Sequence, residues 1–423
     1  MLFVRPQLNK TIKQERKLKH YERKSQYQKK RQYKKKRNAR IYKEKRSKLE
    51  KDKDKQKKGN CERINHESKV IFNKKLIFVY CKTNMNSNIK KIIDETYDKV
   101  KVIKDGKVAS YIPQLAKVDP NIFAISFVDT KGNMYSVGDC ESKVAIESIS
   151  KLFTFSKAVD KFGENTLLEK IGVGGSSLPF NSIIAALESK THTINPFVNQ
   201  GAIATTSLFY DKNHKKFKNE ILNNLNIFAG KKLKLGEKIY HSESETNNTN
   251  MALAYILKSF NRFYGSVPSS VDVYTHQCSV LVSSKDLALM GSVITNNGIH
   301  PKTKKHILKP EHCQFIKRAL RPAGLYEFSN TWIVKTGCVA AKSGVGGGIL
   351  ILIPDIGTLA IVSPPLDEYG NSVKGIKAGE IITNKLLHFC KKNKTHKKTK
   401  KKNKKKKYKN QFKKTLKKYR KRK

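Results

Sequence analysis

The sequence predicts an α/β (α+β) fold in which strands from both ends of one domain build a single sheet, with a helical sub-domain inserted between its halves. Three observations lead there. Ala124–Val137 reads as a β-hairpin, with turn residues between two apolar runs. Glycine-led apolar runs return near residue 350. The long stretch between them carries apolar residues at helical spacing. Strands at both ends with helices between them form one layered domain.

Taken in order, patterned structure starts near Ile89, where Ile92, Ile93, Tyr97 and Val100 follow a helical period. The hairpin is FAISFVDT, a turn at Lys131-Gly132-Asn133, then MYSVG. Ser148–Val159 has helical character. The helical middle runs to about residue 320 and is clearest at Asn250–Phe260 and Asp286–Thr295. Thr331–Lys335 reads as a strand because its residues are aromatic and β-branched. Ile349–Ile353 follows three glycines and is ended by Pro354-Asp355; Leu359–Val362 is the next strand. Gly375–Asn384 begins a closing helix. The segment Lys69–Tyr80 fits a strand or a short buried helix equally.

Charge divides the 423 residues into a middle and two tails. Residues 1–60 hold 25 Lys/Arg against 6 Asp/Glu, and residues 391–423 hold 21 against none. The ends therefore carry +19 and +21 of the net +54, leaving +14 for residues 61–390. Blocks of like charge repel and bury little apolar surface, so both tails are expected to be disordered. The expected layout is a basic tail over 1–60, a linker over 61–88, a catalytic domain over 89–390 and a Lys-rich tail over 391–423.

Polycationic tails attract polyanions such as nucleic acid. KKRQYKKKR at Lys29–Arg37 also has the composition of a nuclear-localisation pattern. Solvated tails with no dedicated partner fit the same composition. The seven cysteines are scattered, odd in number and form no CxxC pair. That argues against a disulfide framework or a zinc site and points to a reducing compartment. The cytoplasm is the expected location, with the nucleus and mitochondrion as alternatives. No stretch has the roughly 18 apolar residues of a membrane span. No cofactor or metal is expected.

Ser148-Ile149-Ser150-Lys151 is the first motif with chemistry in it. Residues i and i+3 share a helix face, so the Ser148 hydroxyl and the Lys151 amine can meet. A serine hydroxyl needs a base, and a desolvated lysine can serve as one. In a lysine-rich chain S-x-x-K also arises by chance. Lys342-Ser343-Gly344, placed before an expected edge strand, supplies a second element of the serine acyl-enzyme pattern in the right order.

Further blocks surround these two: GKVASYIPQLA (106–116), IESISK (146–151), Phe180–Ser182, NPFVNQGAI (195–203), Ser242-Glu243, Asn250, DVYTHQCS (272–279) and KSGVGGG (342–348). Together they resemble the serine-dependent, β-lactamase-like glutaminases over roughly 300 residues in consistent order. The resemblance implies the β-lactamase/penicillin-binding-like serine-hydrolase fold, an antiparallel sheet with packed helices. It implies hydrolysis of L-glutamine to L-glutamate and ammonia, and a homodimer or homotetramer.

It also implies roles residue by residue. Ser148 matches the nucleophile, Lys151 the general base and Tyr326 a proton relay to the leaving ammonia. Tyr111 matches a second tyrosine of the pocket. The backbone N–H groups of Ser148 and Val345 match an oxyanion hole. Glu243 matches the partner of the substrate α-ammonium, and Asn199, Asn250 and Tyr274 match groups around its α-carboxylate. Each also has a plainer reading: half-buried tyrosines pack, asparagines cap and turn, and a glutamate starts a helix.

The sequence departs from the family pattern in places. Glu147 stands where glutamine is usual, and a carboxylate there would raise the Lys151 pKa and repel the substrate carboxylate. Asn247-Asn248-Thr249-Asn250 replaces G-D-R-N, and Gly337–Lys342 is one residue longer than the family's G-L-P-A-K. These changes keep open, beside the active enzyme, a catalytically impaired glutaminase-like scaffold with polyanion-binding tails. A penicillin-recognising peptidase of the same fold is the other alternative; an S-x-N element between the two lysine motifs would favour it, but glutaminase-type blocks surround the site instead.

Overall fold

The computed structural model describes residues 88–176 and 178–389. Both basic tails and the segment Lys69–Tyr80 lie outside the described residues. The chain opens with helix α1 over 88–100 and the hairpin β1 (Ala124–Asp129) and β2 (Met134–Gly138). Strand β3 (Val144–Ala145) leads through a 3-10 turn at Glu147–Ile149 into α2 (Ser150–Phe162). The helical region holds α3 (Glu164–Lys170), α4 (Ile183–Glu188), α5 (Asn199–Ser207) and α6 (His214–Ala229). After β4 (Lys234–Leu235) come α7 (Glu237–Glu245), α8 (Asn248–Ser259) and α9 (Val267–Cys278). Strand β5 (Val280–Val282), α10 (Ser284–Thr295), α11 (Pro310–Leu320) and α12 (Ser329–Thr336) return the chain to β6 (Ala340–Gly344), β7 (Gly348–Ile353) and β8 (Gly357–Val362). Helix α13 spans 373–389.

Five strands form an antiparallel sheet in the order β2-β1-β8-β7-β6, so the first hairpin pairs with the last strand. The expected union of the two chain ends is therefore observed. Strands β7 and β8 are buried at every position, which explains why they read as unbroken apolar runs rather than alternating ones. Helix α10 lies over the face carrying Leu350 and Thr358, where a Cβ on Gly291 would meet both side chains. Helix α13 lies over the opposite face, with Gly375 and Gly379 against Ile349, Ile351 and Ile361.

Three expectations are corrected. A single sheet was expected, but β3, β5 and β4 form a second one in that order. Its strands are two or three residues long, too short to show a period. The KSG segment does not precede the edge strand; it is part of β6, which is itself the edge, while Ile349–Ile353 runs inside the sheet. Thr331–Lys335 is helical, within α12. Trp332 and Thr336 are buried one helical turn apart, Val334 is exposed, and Gly337 in the left-handed region ends the helix. Burial spacing overrides β propensity there.

Candidate active site

Ser148 sits in the 3-10 turn between β3 and α2, only 7% exposed. The turn is tightly held. Ile146 N–H donates to Val280 of the small sheet (2.8 Å), and Ser150 Oγ donates to the Glu147 carbonyl (2.6 Å). Glu147 takes a left-handed backbone (φ 48°), and Tyr326 does the same (φ 56°). Such conformations are uncommon in non-glycine residues and concentrate at functional sites.

Edge strand β6 lies directly against this turn. A Cβ on Gly344 would come within 2.8 Å of the Ile146 carbonyl, and one on Gly346 within 2.3 Å of the Ala145 carbonyl. The glycines of KSGVGGG thus let the β6–β7 turn reach the Ser148 turn and carry Val345 into the same cleft.

Lys151 is buried in the first turn of α2. Its amine donates to Asn199 Oδ1 (2.6 Å) and to the Phe197 carbonyl (3.4 Å). Burial lowers its pKa to about 8, against upward pulls from Cys278, Glu147 and Glu243. The positive end of α2 acts in the lowering direction. The Ser148 hydroxyl has the phenol of Tyr326 as a partner. That phenol also donates to the Ser343 carbonyl (3.3 Å), and burial pushes its pKa up. At neutral pH it therefore carries a proton.

The rest of the cleft is built on α5, α7, α8 and α9. Asn199, at the start of α5, donates through Nδ2 to Asn250 Oδ1 (2.9 Å) and accepts from the Tyr274 hydroxyl (3.4 Å). Asn195 fixes the entrance to α5 by accepting from the Phe197 and Val198 amides and donating to the Gly174 carbonyl. Glu243 Oε2 accepts from Ser279 Oγ (3.0 Å), and its neighbour Ser242 accepts from the Gln114 amide, which pins the Tyr111 loop to α7. Tyr111 is 58% exposed, but its hydroxyl lies among Glu147, Tyr326 and Glu243.

Ser148, Tyr111, Asn199, Glu243, Asn250, Tyr274 and Val345 line one cavity of about 120 Å³. It adjoins a wider opening of about 750 Å³ that shares Tyr111, Phe180 and Val345. Lys151 and Tyr326 complete the group through their bonds to Asn199 and Ser148. All nine residues singled out in the sequence are therefore brought together.

Sequence reasoning gave no role to two neighbours and misjudged a third. Cys278 and Ser279 stand at the end of the DVYTHQCS block, and only their closeness to Glu243 gives them meaning. Glu147 was expected to act as a charge, but it is 3% exposed and lies with a carboxyl oxygen within 4.8 Å of one of Glu243. Burial and Glu243 raise its pKa well above the usual carboxylate range. A carboxyl oxygen of each glutamate and the Cys278 sulfur all lie within 4.8 Å of one another. Burial raises the pKa of both carboxyls and of the thiol, so the trio suits retained protons better than a cation.

A sheet flanked by helices, with a serine and a buried lysine three residues apart beside an edge-strand KSG, defines a serine-dependent hydrolase of the β-lactamase-like class. Comparison with known proteins narrows the class. The family model described as Glutaminase matches residues 106–389. Glutaminases from Colwellia psychrerythraea and Parabacteroides distasonis are 43% and 38% identical over 298 and 301 residues. Those matches cover 70% and 71% of this chain and 96% and 94% of the relatives. A solved structure described as the probable glutaminase YbaS superimposes with a TM-score of 0.69 at 37% identity, over 71% of this chain and 97% of that one. The Bacillus subtilis glutaminase YbgJ, solved as a covalent complex with 5-oxo-L-norleucine, gives 0.61 at 26% identity, over 71% and 97%.

The chain belongs to the glutaminase family, enzymes that hydrolyse glutamine to glutamate. These matches do not favour the scaffold reading. Among the described residues the four cysteines are free, and no helix is long and apolar enough to cross a membrane.

Proposed function

We propose that this cleft hydrolyses L-glutamine through a γ-glutamyl ester on Ser148. The observation that carries the reading is one small cavity lined by Ser148 and Glu243, with the depressed Lys151 bonded to its lining residue Asn199. The Ser148 oxygen attacks the side-chain amide carbon as its proton passes to Lys151. Backbone N–H groups of Ser148 and Val345 stabilise the negative charge that develops on the amide oxygen. The C–N bond then breaks, and the nitrogen takes a proton through Tyr326 and leaves as ammonia. Water attacks the ester, its proton goes to the base, and glutamate departs as Ser148 is restored. Glu243 holds the substrate α-ammonium, while Asn199, Asn250 and Tyr274 hold the α-carboxylate. A free amino acid brings both charges, and a site that desolvates them must pair each.

The pH profile tests the assignment. Lys151 must be neutral to act, and burial holds it at about 8. Glu243 must be ionised to hold an ammonium, and burial raises it to about 7 in the empty site. Both requirements fail as the pH falls. The expected log kcat/KM profile therefore steepens below pH 7 toward a slope of about two, one unit per proton. The kcat profile, which reports the substrate complex, keeps the Lys151 limb. A kcat/KM slope of one down to pH 5 would remove one of the two groups.

A homo-oligomeric state and a reducing compartment belong to the same proposal, as does polyanion binding by the tails. Deleting 1–60 and 391–423 is expected to remove salt-sensitive binding to RNA while ammonia release is largely kept. Equal RNA affinity in the shortened protein would move the basic surface into the catalytic domain.

A further inference from the structure

We propose that Glu147 works as a carboxylic acid whose hydroxyl donates to Glu243 and holds that group in place for the substrate α-ammonium, making Glu147 a positioning residue. This rests on the reading of Glu243 as the ammonium partner. A carboxyl oxygen of Glu147 lies within 4.8 Å of one of Glu243, and two ionised carboxylates are acceptors only, so they can bond only if one of them holds a proton. The surroundings decide which group keeps it. Glu243 already accepts from Ser279 Oγ at 3.0 Å, which favours charge on Glu243. Glu147 is 3% exposed, and its Oε1 is buried without a hydrogen-bond partner. An ionised oxygen left in that state costs far more than a neutral carbonyl.

Groups that face the pair from the packed elements agree with this placement. Lys151 on α2 is the nearby cation, but its amine donates to Asn199 and the Phe197 carbonyl. Cys278 and Tyr274 on α9, Tyr111 from its loop and Tyr326 beside β6 are all raised by burial and stay neutral. Glu243 on α7 is then the single anion of the cluster, matched to a single ammonium. The left-handed backbone at Glu147 is part of the device, because it sets where the side chain leaves the nucleophile turn. In the acid form Glu147 presents Glu243 with the same donor as the amide of the glutamine usual in the family. On this proposal the acid form of Glu147 adds no charge beside Lys151, in place of the upward pull that an ionised Glu147 exerts.

The test compares full-length wild type, Glu147→Gln and Glu147→Met with L-glutamine and with glutaramate, the same amide without the α-amino group. Glu147→Met keeps the volume and loses the donor. Its KM for L-glutamine is expected to rise about tenfold or more, as loss of a hydrogen bond to a charged group gives. Its kcat and its kcat/KM for glutaramate should change little. Glu147→Gln should restore the KM to within about threefold of wild type, since the amide donates the same bond. The proposal is overturned if Glu147→Gln loses as much as Glu147→Met, because the carboxyl itself would then be needed. It is equally overturned if Glu147→Met weakens both substrates alike. If wild type does not prefer L-glutamine to glutaramate, the fault lies in the Glu243 assignment instead. Far-UV and thermal melting profiles of both variants separate misfolding from a loss at the site.

Discussion

Ser148→Ala is expected to abolish ammonia release, by about a thousandfold or more, as removal of one member of a catalytic unit does. The change removes one oxygen from a turn held mainly by its backbone, so the fold should survive. Ile146 would still bond to Val280, and Ser150 would still cap the Glu147 carbonyl. Melting temperature and glutamate binding by calorimetry are the controls, both expected near wild-type values. Mass spectrometry after acid quench adds a direct reading. Wild type trapped during turnover should carry a γ-glutamyl adduct, and Ser148→Ala should carry none. A Ser148→Ala protein with near wild-type turnover would sink the serine mechanism altogether.

The second large effect concerns the substrate's own charge. N-acetyl-glutamine keeps the amide and the α-carboxylate but brings no ammonium to Glu243. The ammonium site must then leave a buried carboxylate unpaired or protonate it, a cost of several kcal/mol. A loss in kcat/KM of about a hundredfold or more is expected, each 1.4 kcal/mol being worth tenfold. The acetyl group adds bulk, so the des-amino amide, which adds none, is the matching control. Equal kcat/KM for glutamine and for both analogues would take Glu243 out of this role.

What the sequence displayed and what it concealed divide along physical lines. Helix α8 buries Leu253, Ala254 and Leu257 on one face, a period visible in Asn250–Phe260, while α10 is buried at every position but Lys285, which is why Asp286–Thr295 is largely apolar. Strands β7 and β8 are buried throughout, and apolar but for Thr358 in β8, because helices cover both faces of the sheet. Local signals fail where elements are short or where a tertiary contact decides. The two-residue strands β3 and β4 carry no period, and Thr331–Lys335 looks extended until Trp332 and Thr336 choose the same face. The site residues were legible because their order along the chain is informative even when each alone is ambiguous. Their chemistry was less so. Glu147 beside Ser148 reads as a negative charge; its burial and its closeness to Glu243, brought from another helix, are what raise its pKa, and neither is written in the local sequence.

The pairing of β1 with β8 has a bearing on how the chain is made. Strand β1 ends at Asp129, yet its partner begins only at Gly357. During synthesis the first hairpin must wait, one apolar face unpaired, until nearly the whole domain has left the ribosome. The helices between them have local contacts and can form early, but closing the sheet means bringing together segments far apart in the chain, which is slow. An unpaired edge exposed for that long is a site for wrong partners. A domain that joins its two ends in one sheet has its period of greatest vulnerability on the ribosome, before β8 arrives.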